Sequence, residues 1–179
     1  MSQEKKETWL TFMAITTVVF AVTATLSTFK GGGFSTRSLL NQTKASDQWA
    51  FFQSKSIKSY IYDLRRENLD IQIESLEKQK GSEDLVKKYK GMSEDYTQKV
   101  KKYEEEKESI SKEAKGFEAI RDESKKHSDK FGIGVIFLQI SILLSSIATL
   151  SKKRFVWIIS VILGVFGIFF FIDGFFLFL

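Results

Sequence analysis

The sequence predicts an all-α membrane protein: three transmembrane helices, with a long extramembrane antiparallel helical hairpin, a coiled coil, between the first and the second. Three observations lead there. Residues 9–29, 131–150 and 155–179 are apolar blocks almost free of charge, each long enough at about 1.5 Å per residue to cross roughly 30 Å of hydrocarbon. The intervening residues 30–130 hold most of the charge of a chain in which 27% of residues are Asp, Glu, Lys or Arg. The chain also has no Pro, so nothing forbids long uninterrupted helices, and folds with many turns and strands are disfavoured.

Composition narrows the chemistry as well. With no Cys there are no disulfides, thiolate metal sites or thiol nucleophiles, and the redox compartment is left open. The formal charge is +5, but basic and acidic residues alternate through residues 30–130. No basic face with interleaved aromatics forms, so nucleic acid is not an expected partner.

In chain order, residues 1–8 are a polar tail and residues 9–29 the first span. Lys5 and Lys6 before an apolar run also fit a signal peptide, but the run exceeds the usual apolar core of one. Thr17, Ala21 and Thr25 form a small-residue stripe that would admit a second helix. Gly31-Gly32-Gly33 next predicts a hinge at the membrane surface, because consecutive glycines are costly to keep helical.

Beyond it, Trp49, Phe52, Ser56 and Tyr60 share one face of a helical wheel. Ala50, Ile57, Ile61 and Leu64 share the adjoining face, while Phe51 and Tyr62 point nearly opposite the first. A single partner helix cannot cover all of these. A second subunit or the bilayer surface is expected to cover the remainder, and Trp49 and Phe52 are expected to pack between the arms.

The run Ala45-Ser46-Asp47-Gln48-Trp49-Ala50-Phe51-Phe52-Gln53-Ser54-Lys55-Ser56-Ile57-Lys58 resembles the signature of an uncharacterised bacterial membrane-protein family, domain-of-unknown-function family 4337, which usually has a Tyr pair where Phe51 and Phe52 stand. Phe137-Leu138-Gln139-Ile140, Lys152-Lys153-Arg154 and Trp157 extend the resemblance over the whole architecture. It implies a small multi-pass protein of the bacterial inner membrane, and it implies no activity.

The turn between the arms is placed by Lys78-Gln79-Lys80-Gly81-Ser82-Glu83-Asp84: cations, a C′ glycine, an N-cap serine and first-turn acids in succession. Arms of similar length about Gly81 then pair Phe52 with Ile110 and Tyr60 with Tyr103. On the second arm Tyr96, Val100, Tyr103, Lys107, Ile110, Ala114 and Phe117 alternate four and three residues apart. Leu85, Tyr89 and Met92 approach this seam through a stutter beside Gly91, a competing kink. Lys and Ala in the seam would leave a lone hairpin marginal, so a homo-oligomer is expected. The expected interaction face comprises Trp49, Phe51, Phe52, Tyr60, Tyr103, Ile110 and Phe117.

Candidate chemistry is sparse. His127, the sole histidine, has Glu123 one turn before it, but zinc or di-iron centres need three or four converging ligands, so a solvated juxtamembrane histidine is expected. Glu104 and Glu108 beside Lys101 and Lys107 fit helix surface pairing. No Ser/His/Asp set, phosphate loop or paired buried carboxylates can be assembled, so no enzyme, cofactor or metal is expected.

Residues 131–150 and 155–179 are joined by the short basic loop 151–154 and are expected to be antiparallel neighbours, packed through Ser141, Ser145 and Thr149 against Ser160 and Gly164. Gln139 is expected to face protein rather than lipid. Asp173, the one acid in the third span, should sit near the membrane edge beside Lys30 or Lys130. Lys152, Lys153 and Arg154 predict a cytoplasmic loop and N-terminus, with the hairpin and C-terminus periplasmic. Two function classes follow. The first is a non-enzymatic oligomeric scaffold or interaction module in the lipid bilayer; the second is a small channel or transporter subunit lined by Gln139, Ser145 and Asp173.

Overall fold

The computed structural model describes residues 3–178, and those residues are arranged as three helices: α1 (Gln3–Glu77), α2 (Glu83–Ser151) and α3 (Arg154–Phe176). There is no strand among the described residues. Each helix contains a stretch long and apolar enough to cross a membrane. The residues separate into two compact units, Met1–Leu40 with Ile120–Leu179, and Asn41–Ala119.

The connection between α1 and α2 follows local chemistry. Gly81 has φ 89°, a left-handed conformation that glycine adopts without a Cβ penalty. The Gln79 amide bonds the Leu76 carbonyl at 2.9 Å, and the Ser82 carbonyl accepts the Val86 amide at 2.9 Å. Glu83 and Asp84 fill the first turn of α2, where acids complement the helix dipole.

The triple glycine does not interrupt α1, contrary to the expected hinge. Gly31 is buried, and a Cβ placed there would lie 3.0 Å from the Phe131 Cβ. The glycine therefore serves close approach of two helices, and packing offsets its poor helix propensity. Gly91 is likewise helical.

In the unit formed by residues 3–40 and 120–178, small residues set the helix contacts by letting the backbones approach closely. The Ser160 hydroxyl donates to the Ser141 carbonyl at 2.7 Å, and Thr17 and Ser145 hydroxyls meet at 2.6 Å. Ser27 donates to the Phe131 carbonyl at 2.9 Å, and Ser128 to that of Gly31 at 3.1 Å. A Cβ on Gly134 would stand 3.1 Å from the Gly167 carbonyl oxygen, and one on Gly164 only 2.1 Å from Phe20 Cζ. Leu138, Phe20 and Ala24 form the buried apolar centre, flanked by Ile142 and Ile168.

In the unit Asn41–Ala119, partners descend along α2 as they ascend along α1. Lys44 lies over Phe117, Trp49 bonds Glu118, Lys55 pairs with Glu106 and Ser59 bonds Glu104. Asp70 bonds Ser93, and Glu77 pairs with Lys90. Burial on α1 recurs at Asn41, Ala45, Gln48, Phe52, Lys55, Ser59, Tyr62, Arg66, Leu69 and Ile73, alternately four and three residues apart. On α2 the same alternation passes through Val86, Tyr89, Ser93, Tyr96, Val100 and Tyr103 without the expected stutter. Ser93, not Met92, takes the inward position, and its hydroxyl donates to Asp70 at 2.8 Å.

Candidate functional site

Chemistry in the unit holding α3 gathers where that helix ends. Asp173 is fully buried. Its Oδ1 accepts the Phe178 amide at 2.6 Å, while its carbonyl accepts the Leu177 amide at 2.7 Å, with Leu177 in the left-handed region as the C-cap. A carboxylate at a helix C-terminus opposes the dipole and, buried, needs a counter-charge. Lys130 supplies it, with Nζ 3.1 Å from Oδ2. Lys30, the other candidate, lies 6.0 Å from the Phe175 ring centroid.

His127 sits one turn before Lys130 and is not the solvated residue expected from sequence. Its ring stacks on Phe34 of α1 with centroids 4.5 Å apart, and Nδ1 lies 2.8 Å from the Gly174 carbonyl oxygen of α3. In that contact Nδ1 must carry the hydrogen, because a carbonyl only accepts. One imidazole thus links all three helices. Among the described residues, no group of three or more His, Asp or Glu side chains is placed to hold a metal. Sequence reasoning missed this clasp although arms of equal length about Gly81 bring Phe34 to the His127 turn.

The three residues expected to be polar within the membrane go separate ways. Ser145 is buried against Thr17, and Asp173 pairs with Lys130. Gln139, expected to face protein, is exposed on the outer face of α2 within the single chain. Leu138 beside it occupies the inward position, fully buried against Gly167. Ile136, Leu143 and Ile147 share the outer surface with Gln139.

Between the arms, Trp49 donates its indole N–H to Glu118 Oε1 at 2.9 Å and stands edge-on to Phe52 at 5.5 Å. Phe117 and Phe52 are half-buried and Ile110 is buried. Tyr103 stacks on Tyr62 at 5.9 Å, so Tyr62 takes the place expected for Tyr60, which is 65% exposed. The cause is drift: a wheel at 3.6 residues per turn rotates about 20° per heptad away from a seam of period 3.5. Phe51 also lies outward, with the Lys55 ammonium 5.1 Å from its ring centroid.

Lys107, a poor core residue on paper, lies 2.8 Å from Glu104 Oε2 and 5.4 Å from the Phe52 ring centroid. Its stem can cover apolar surface while its head remains paired. The Lys107 ammonium, followed by the Ser59 hydroxyl, holds the Glu104 carboxyl below the ordinary carboxylate range. Hydrogen bonding from Lys55 does the same for Glu106. In the short connection between α2 and α3, Lys152 has φ 54°, and the Arg154 guanidinium lies 5.5 Å from the Trp9 ring centroid.

A family model described as a domain of unknown function, DUF4337, matches residues 9–177, nearly the whole chain. No curated protein and no solved structure matches.

Proposed function

This chain belongs to the DUF4337 family, and we propose that it is a non-enzymatic, membrane-anchored scaffold that self-associates and presents an antiparallel coiled-coil hairpin. The observation that carries this reading is the outward Gln139. A primary amide with two donors and an acceptor, set partway along a span among Ile136, Leu143 and Ile147, is costly to leave in hydrocarbon. The same residue on a second copy satisfies it at a contact worth about 1 kcal/mol. The hairpin reading rests on the descending order of partners about Gly81 and on the four-and-three burial of both arms. The basic connection at Lys152 and Lys153 favours a cytoplasmic loop and N-terminus in a bacterial inner membrane, with the hairpin outside.

A channel has weaker support. Gln139, Ser145 and Asp173 have different surroundings in one chain, and a shared path would have to be assembled between copies. Mass measurement of the detergent-purified protein tests the scaffold reading. A defined homo-oligomer is expected, with Gln139→Leu shifting it toward smaller species; a monomer at all concentrations would overturn the reading.

A further inference from the structure

The apolar residues of α1 within Asn41–Ala119 are divided between two sides. The inner side, toward α2, includes Asn41, Gln48, Lys55, Ser59 and Arg66 at its recurrent positions. The outer side carries Ile57, Ile61, Leu64, Asn68 and Ile71, again alternately four and three residues apart. Ile57 is 60% exposed and Ile71 67% exposed. The α2 arm has no equivalent: among its described large hydrophobics in this unit only Leu85 and Met92 are exposed. The surface needing a partner is therefore a single helical stripe with heptad spacing.

We propose that this stripe is a self-docking seam, on which α1 of one copy packs parallel and in register against α1 of a second copy. The proposal rests on the oligomeric reading above and names the surface that the hairpin contributes to it. Three features select this occupant. Heptad labelling puts Ile61 and Asn68 at a positions and Ile57, Leu64 and Ile71 at d, so a copy of the same stripe offers matching knobs and holes. Asn68, whose amide nitrogen bonds the Leu64 carbonyl at 2.8 Å in the single chain, meets its own counterpart at the same time as every other a and d residue meets its own only in a parallel, in-register pair. A single a-position Asn is the side chain that fixes such a register at some cost in stability.

The third feature is charge. One edge of the stripe carries Lys58 and Arg65, the other Tyr60, Glu67 and Glu74. Parallel packing sets the basic edge of each copy beside the tyrosine and acidic edge of the other, whereas antiparallel packing sets like edges together. Copies inserted with one topology are also related by an axis along the bilayer normal, which keeps equivalent helices parallel. A lipid surface is a poorer match, since helices that lie on anionic membranes carry Lys and Arg on the polar face, whereas Glu67 and Glu74 line one edge here.

The absence of Cys permits a direct test in the full-length protein in native membranes. Ile57→Cys, Leu64→Cys and Ile71→Cys are made singly and oxidised, with Glu105→Cys on the exposed face of α2 as reference. Each of the three is expected to give at least about tenfold more disulfide-linked dimer than the reference. Adding Leu64→Lys to Ile71→Cys should abolish that yield while helical content is unchanged.

Linkage of Leu64→Cys alone, with Ile57→Cys and Ile71→Cys silent, would mean antiparallel crossing and overturn the parallel register. No linkage at any of the three, with an oligomeric mass retained in detergent, would overturn the seam and leave self-association through the spans standing. A monomeric mass would remove the scaffold reading and the seam together. Silent cysteines combined with spin labels at these positions shielded from an aqueous nickel chelate would assign the stripe to lipid or another protein, again overturning the proposal.

Discussion

At the residue scale, Asp173 shows how a costly group is retained. Its carboxylate is fully buried and caps the end of its own helix through the Phe178 amide, so Lys130 at 3.1 Å offsets both desolvation and the unfavourable dipole. Removing the cation alone should therefore be worse than removing the pair. Lys130→Ala is expected to cost roughly 3 kcal/mol in helix association, as for other broken buried pairs, and Asp173→Asn less, because an amide oxygen still accepts the Phe178 amide. A charge-swapped Asp173→Lys, Lys130→Asp variant should recover part of the loss in a denaturation series in detergent. Glu104 and Glu106 predict a pH response for the other unit. Both carboxyls are held below their ordinary range, by Lys107 and Lys55 first. Their contribution is thus fully present above the unfolded glutamate range and is lost as pH falls through the depressed folded values. The thermal midpoint should drop on acidification, and Glu104→Gln with Glu106→Gln should flatten that drop, as followed by circular dichroism.

At the element scale, the glycines separate two roles that sequence cannot distinguish. Gly164 faces Phe20 so closely that an added Cβ would lie 2.1 Å from the ring, whereas nothing lies within 4 Å of a Cβ on Gly91. Gly91→Ala should accordingly stabilise helix α2 by about 1 kcal/mol, while Gly164→Ala should loosen α3 from α1 and be relieved by Phe20→Ala, a non-additivity that a double-mutant cycle measures. The three helical elements, the break at Gly81 and the partnership of Asp173 with Lys130 could all be read from the sequence, because each leaves a local mark: an apolar block, a cap chemistry, a lone charge. The inner face of α1 could not. Asn41, Lys55, Ser59 and Arg66 occupy its recurrent positions, so hydrophobic periodicity pointed to the outer stripe, and a 3.6-residue wheel favoured Tyr60 over Tyr62. Gln139 lies outward in the single chain for a related reason: the rule that sets polar residues against protein holds for the assembly, while a single chain offers only some of its faces.

At the scale of the whole molecule, orientation turns on the connection between α2 and α3. Lys152 adopts φ 54°, a conformation in which glycine or asparagine would be less strained. Arg154 lies over Trp9 near the start of the first span, which puts the basic connection and the beginning of that span at the same end of their unit. Positive charge in short connections sets insertion, and long segments translocate with little regard to charge. The prediction is that, in cells expressing the chain, Ser151→Cys is silent to a membrane-impermeant maleimide while Ser82→Cys at the Gly81 turn is labelled. Lys152→Glu with Lys153→Glu should then produce a mixed population in which both positions label partially. The reverse pattern in the otherwise unaltered chain, Ser151→Cys labelled and Ser82→Cys silent, would place the hairpin in the cytoplasm and make the basic residues along residues 30–130, rather than the short connection, the determinant of topology.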